Sequence, residues 1–204
     1  MNYPSGIKKS IIKEKEPRNY KNLGMDLEKD INSTNEYYIN KGIAYIYKKP
    51  TPIKLVKVDY KKGEIKEAYF EKPSTTDYNG IYKGKYIDFE AKETVNSKGF
   101  PLNNIHKHQI NHIRNIAKEN GICFLIVRFT KINKTYLLMA NDFLNFIDNN
   151  KRTVIPLEYF SDVGYVIKDK IIPRVDYLEI IIKMEEENEK EKSIEWKWTR
   201  ESKT

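Results

Sequence analysis

Apolar and polar positions alternate with different periods along this chain, and the changes of period mark its elements. In "GMDLEKDINSTNEYYINKG", Leu27, Ile31, Thr34 and Tyr38 fall on one helical face, and Gly42 is placed to stop the helix. "GIAYIYKK" follows as a strand. "PTPIKLVKVDYKKGEIKEAYFEKP" has proline near both ends and a turn signal at Lys61–Gly63 between two alternating runs. This predicts a β-hairpin, and its faces are too rich in lysine to sit inside a core, so it should project. "DYNGIYKGKYIDFEAKET" reads as a second hairpin. On its outgoing strand Tyr86, Asp88, Glu90 and Lys92 point one way and Ile87, Phe89 and Ala91 the other. The apolar side suits a core; the charged side calls for water, a metal or a substrate.

Residues 104–120 predict an amphipathic helix on Ile105, Ile113, Ile116 and Ala117, ended by Gly121. "ICFLIVRF" is a continuous apolar run of the kind buried on both faces of a sheet. "TYLLMA" predicts a strand, and "NDFLNFIDN" a short helix capped by Asn141 or Asp142. Two further helical pieces fall within 155–183. The order of elements is that of a mixed α/β domain. Three regions are expected: a flexible basic arm at 1–23, a main domain at 24–183 with a stalk at about 48–70, and a charged tail at 184–204. The tail has no sustained apolar period and is expected to be disordered.

Composition narrows the class. The 204 residues are 39% hydrophobic, enough for one core, and no apolar run reaches membrane-spanning length. The N-terminal segment lacks the apolar stretch of a signal peptide. Cys123 is the only cysteine and lies in a core-like run, so neither an internal disulfide nor a cysteine zinc cluster is expected. These features fit a cytoplasmic location. The net charge of +8 is concentrated in residues 1–23 and 41–72. Segregated basic charge favours a polyanionic partner, most simply nucleic acid.

The chemistry gathers at Asp77, Glu90 and Lys92. Phosphodiester hydrolysis needs an activated water and relief of added negative charge, and a divalent cation held by carboxylates serves both needs. Magnesium takes one or two carboxylates, with waters and phosphate completing its shell. Lys92 stands about 6.5 Å along the strand from Glu90, at ~3.3 Å per residue. Simpler roles compete. Asp77, beside Asn79 and Gly80, could be a turn aspartate. Glu90 and Lys92 could form a cross-strand ion pair. Asp88 could join the metal side or pair with a lysine. Glu28 could reach the site from the first helix or stay an ordinary exposed glutamate. His108 and His112 have i, i+4 spacing but no H-E-x-x-H register and no cysteine partner, which argues against zinc. Lys48, Lys49, Lys57, Lys61 and Lys62 are phosphate contacts if the hairpin enters DNA, and solvated charges if it does not.

Asp77 followed by Glu90-Ala91-Lys92 resembles the PD-(D/E)xK nuclease motif. The strings "KKPTP" (48–52), "KEAYF" (66–70), "STTDYNGIYKGKYIDFEAKET" (74–94), "FPL" (100–102), "HQI" (108–110) and "GICF" (121–124) resemble the RecU family of Holliday junction resolvases, from about Asn22 to Ile182. The chain has Leu23 where that family tends to have arginine. The resemblance implies a restriction-endonuclease-like mixed sheet flanked by helices, with a stalk that enters a four-way junction. It implies magnesium, replaceable by manganese, contacted by Thr75, Asp77, Glu90 and Gln109, with Lys92 stabilising the transition state. It also implies a homodimer making paired nicks in recombination and repair, with recombinase and branch-migration proteins as candidate partners. Two alternatives stay open: a non-catalytic junction-binding module and another DNA nuclease on the same fold.

Overall fold

A computed structural model describes residues 27–70 and 75–201. The expected basic arm at 1–23 lies outside these residues. Helices are α1 (Leu27–Asn40), α2 (Lys107–Lys118), α3 (Ala140–Asn149), α4 (Leu157–Val163) and α5 (Tyr177–Glu201). Strands are β1 (Tyr45–Lys48), β2 (Ile53–Asp59), β3 (Glu64–Phe70), β4 (Tyr78–Tyr82), β5 (Lys85–Thr94), β6 (Gly99–Pro101), β7 (Ile122–Phe129), β8 (Lys134–Met139), β9 (Val154–Pro156) and β10 (Tyr165–Ile167).

Six strands form one sheet in the order β1-β4-β5-β7-β8-β10. Within it β5 and β7 run parallel, align Glu90 with Leu125, and are joined by the α2 crossover. Side chains of β7 alternate between two buried clusters. Phe124 and Ile126 pack with Leu27, Ile31, Tyr38, Phe89 and Tyr177 on the α1/α5 face. Cys123, Leu125, Val127 and Phe129 pack with Ile113, Phe143 and Phe160 on the α2/α3/α4 face. Helices therefore cover both faces, which is why "ICFLIVRF" shows no alternation. The mixed α/β sheet flanked by helices agrees with the expected class.

The predicted face of α1 is buried: Leu27, Ile31, Thr34 and Tyr38. Gly42 ends it with φ +65°, the left-handed conformation that glycine adopts at no steric cost. β2 and β3 form a separate two-stranded sheet. Every β2 residue is exposed or half-buried. In its turn, Asp59 Oδ1 accepts from the amides of Lys61 and Lys62 at 3.2 and 3.3 Å, and Gly63 has φ +67°.

Some expectations need correcting. The turn between β4 and β5 is Lys83-Gly84, both at positive φ, rather than the Asn79-Gly80 pair. Asn79 and Gly80 lie inside β4, and a Cβ on Gly80 would run into the Tyr45 carbonyl of β1. Asp77 immediately precedes this strand and so is no turn aspartate. Helix α3 begins at Ala140 with Met139 at its N-cap and no side-chain cap, so neither Asn141 nor Asp142 caps it. The second helical piece continues through the charged tail as α5, to Glu201, where no structure was expected. Among the described residues no helix is long and apolar enough to cross a membrane.

Candidate active site

β5 is ten residues long and carries the site. Ile87 and Phe89 enter the α1/α5 core, which turns Asp88 and Glu90 toward α2. Alternation predicted that common face but not its depth: both carboxylates are 0% exposed. α2 covers them with polar rather than apolar side chains. Its N-terminal turn is a capping box, in which the Gln109 side chain accepts from the His106 amide at 3.0 Å. That bond aims the other end of Gln109 at β5, where Nε2 donates to Glu90 Oε1 at 2.7 Å.

Glu90 and Asp77 stand side by side. The Asp77 amide donates to Glu90 Oε2 at 3.1 Å, and Asp77 Oδ2 accepts from the Ala91 amide at 3.4 Å. Lys92 Nζ lies between the two acids, in direct contact with Glu90 Oε1 and 3.8 Å from Asp77 Oδ2. Burial, reinforced by the Asp77 charge and opposed by Lys92, pushes the Glu90 carboxyl up to about 7. A cleft of about 260 Å³ opens beside this group, lined by Glu28, Asp77, Lys92 and Glu93 together with Leu27, Tyr78 and Ala91.

The donor set fits a hard divalent cation. A carboxylate has about four acceptor positions. Glu90 uses two on Oε1 and one on Oε2. Asp77 lines the cleft, and its Oδ2 meets only a long amide contact at 3.4 Å and the Lys92 ammonium at 3.8 Å. Among the described residues no group of three or more His, Cys, Asp or Glu could hold a metal ion. Two carboxylates suffice for magnesium when neutral oxygens, water and phosphate complete the shell.

Other candidate residues fall in different places. Glu28, in the first turn of α1, lines the cleft but pairs with Lys48 at 2.5 Å. Thr75 is exposed and accepts from Lys49 Nζ at 3.2 Å. Lys57, Lys61 and Lys62 are exposed on the hairpin. Lys49 is turned inward, and its ammonium bonds Asp88 Oδ2 at 2.6 Å. Asp88 therefore lies beside the Glu90 site without opening into the cleft. His112 faces Asp88 at 3.1 Å, whereas His108 stacks on His106, so the i, i+4 histidines share no site.

Sequence reasoning missed two features. One is Thr76, 0% exposed, whose hydroxyl contacts Asp88. The other is a groove of about 430 Å³ lined by Lys98, Lys151 and Arg152. The two basic segments of the groove, at 98 and 151–152, are far apart in the sequence. They meet only because β6 pairs with β9, a three-residue ladder that leaves no periodic trace.

Comparison with known proteins follows the same lines. A family model described as "Recombination protein U" matches residues 22–183. A Holliday junction resolvase RecU of Pediococcus pentosaceus is 49% identical over 194 residues, covering 90% of this chain and 96% of that protein. One from a Geobacillus species is 51% identical over 172 residues, covering 81% and 86%. One from Streptococcus thermophilus is 45% identical over 192 residues, covering 90% and 97%. Glu90 and Lys92 on the interior strand β5, with Asp77 beside them and a cationic hairpin nearby in the chain, thus occur in a protein that belongs to the RecU family.

Proposed function

We propose that this protein is a magnesium-dependent endonuclease that resolves Holliday junctions by paired nicks, with Asp77, Glu90 and Lys92 as its catalytic residues. The observation that carries the reading is the Asp77–Glu90 pair, with the Lys92 ammonium between them at the edge of an open cleft. The family membership supplies the reaction class.

Asp77 and Glu90 would hold the metal, with Thr75 as a neutral oxygen donor and Gln109 as another once its carboxamide oxygen turns from the His106 amide toward the ion. The bound ion would supply Lewis acidity and a lowered pKa for water. Gln109 ties Glu90 to the first turn of α2 through its paired bonds to His106 and Glu90. Lys92, 27% exposed, can turn its ammonium from the acids toward a phosphate and stabilise charge developing on the phosphorus oxygens. Glu28 at the cleft rim releases Lys48 to the DNA or orients water.

The hairpin supports selectivity for shape. Lys57, Lys61 and Lys62 meet phosphates, and backbone contacts position DNA without reading bases. Exposed Ile53, Leu55, Val56 and Tyr60 along the same hairpin suit an unstacked junction centre better than the outside of a duplex. A junction with two scissile strands related by a two-fold axis is matched by a two-fold dimer. Manganese should replace magnesium, since both accept oxygen ligands.

The test is a labelled four-way junction incubated with and without magnesium. Symmetric paired nicks that need the metal, with plain duplex cut far more slowly, are expected. Comparable cutting of duplex would exclude a junction resolvase. Binding without any nicking would favour a non-catalytic junction-binding module.

A further inference from the structure

Lys49 and Asp88 lie at the root of the hairpin, where both of its legs join the body. β1 ends at Lys48, so Lys49 is the first residue of the outgoing leg. β3 ends at Phe70, and Thr75, Thr76 and Asp77 bring the returning leg to β4. Lys49 touches all three of these residues. Its amide donates to the Asp77 carbonyl at 2.8 Å. Its ammonium donates to Thr75 Oγ1 at 3.2 Å and to Thr76 Oγ1 at 2.6 Å.

Asp88 anchors this clasp to β5. Its Oδ1 accepts from the Thr76 hydroxyl. Its Oδ2 accepts from Lys49 at 2.6 Å and Tyr86 at 2.9 Å, with His112 Nε2 at 3.1 Å. His112 also lies 3.4 Å from the Lys49 ammonium, so α2 closes the cluster from above. Oδ2 is thus fully engaged, and Oδ1 is tied to the Thr76 hydroxyl. The Lys49 side chain is 14% exposed and that of Asp88 is 0% exposed. A lysine held this way is poorly placed to meet a phosphate, and a carboxylate paired with that lysine and shut away from solvent is poorly placed to meet a metal.

We infer that Lys49 and Asp88 are positioning residues, which lock the Thr75–Asp77 segment in place so that its oxygens and those of Glu90 face one cation. The clasp also ties both hairpin legs to that segment, so a tilt of the hairpin moves Thr75 and Asp77. Lys49 therefore acts on catalysis through Asp77, and it is not a DNA contact. This inference rests on the proposed metal site.

The test compares the paired variant Lys49→Gln/Asp88→Asn with the native protein. The pair removes both charges together, so no buried ion is left alone, and unfolding in urea checks that the variant folds. Two quantities are measured. The first is Mn2+ affinity without DNA, by calorimetry with manganese chloride. The second is junction affinity against salt, with a chelator present. The expected result is at least a tenfold loss of Mn2+ affinity, with junction affinity within twofold and the salt slope unchanged. The kcat for nicking should fall at standard magnesium, recover in part at higher magnesium, and leave KM for the junction unmoved. Unchanged Mn2+ affinity overturns the inference. So does a salt slope reduced by about 0.9, the signature of one phosphate left without its cation. If the native protein also fails to bind Mn2+, or if Asp77→Asn leaves that binding intact, the metal-site reading fails first.

Discussion

Asp88 and Glu90 are two residues apart on one strand, equally buried, and turned toward the same helix, yet they carry opposite chemistry. Asp88 is enclosed by Lys49, Thr76, Tyr86 and His112 and neutralised by the Lys49 ammonium. Glu90 has a second carboxylate, Asp77, next to it, and Asp77 and Lys92 line an open cleft. The difference comes from α2 and from the segment at 75–77. They surround Asp88 with Thr76 and His112, alongside Lys49, and they set a second acid, Asp77, beside Glu90. Burial alone therefore does not identify a catalytic carboxylate. A second carboxylate beside it, at the edge of a cleft, is what sets Glu90 apart from Asp88.

The largest effect should come from the open acid. Glu90→Gln or Asp77→Asn is expected to reduce nicking about 10³-fold, since removing a metal ligand forfeits several kcal/mol of charge stabilisation. Junction binding should persist or strengthen, because a negative charge facing phosphate is gone. A gel-shift titration beside a cleavage assay checks both. Residual nicking within tenfold of native would break the distinction between the two acids.

The next effect concerns stability and reverses the order of the two lysines. Lys49→Met leaves Asp88 buried and uncompensated, and should cost about 3–5 kcal/mol. Lys92→Met should cost less, because burial lets the Glu90 carboxyl take up a proton once the ammonium is gone, while nicking is abolished. Urea unfolding separates them. Equal losses would mean that Glu90 depends on its lysine as Asp88 does.

Acidity gives a third handle. Burial raises the Glu90 carboxyl from the ordinary 4.5 to about 7 in the folded, metal-free protein. The folded state then holds a proton that the unfolded state has released. Its contribution to stability is present below about pH 4.5 and is lost as pH rises through about 7. With a chelator present, native protein should melt lower at pH 8 than at pH 5, and Glu90→Gln should flatten this dependence. Divalent-ion affinity should rise through the same window, because the ligand must shed its proton. An identical pH slope in native and variant protein would show that Glu90 titrates in its ordinary range.

Much of this arrangement was legible in the sequence. The β5 alternation placed Glu90 and Lys92 on one face, the α1 stripe named its buried residues, and prolines toward both ends with a lysine-rich turn between them marked the hairpin. The division of labour between Asp88 and Glu90 was not legible, because period 2 gives both the same direction. It depends on Gln109 and His112, which lie 19 and 24 residues from their partners. Lys49 sits in a basic run, which suggests a phosphate contact, yet its buried partner is 39 residues away. β6, β9 and β10 were missed because three residues carry no measurable period. The helical tail was missed because its charges mask the helix that begins at Tyr177.

The smallest expected effects lie on the hairpin. Lys61→Ala with Lys62→Ala should weaken junction binding and reduce the salt slope by about 0.9 for each phosphate no longer neutralised on duplex-like arms. Neither nicking at saturating junction nor Mn2+ affinity should change. Loss of Mn2+ affinity here would mean that the hairpin tip, and not only its root, shapes the metal site.

The most direct test is anomalous diffraction from crystals of the protein soaked in manganese. The account predicts a manganese peak bound by oxygens of Asp77 and Glu90, with Asp88 still bonded to Lys49 and carrying no metal. A manganese ion on Asp88, or none at the Asp77–Glu90 pair, would contradict it.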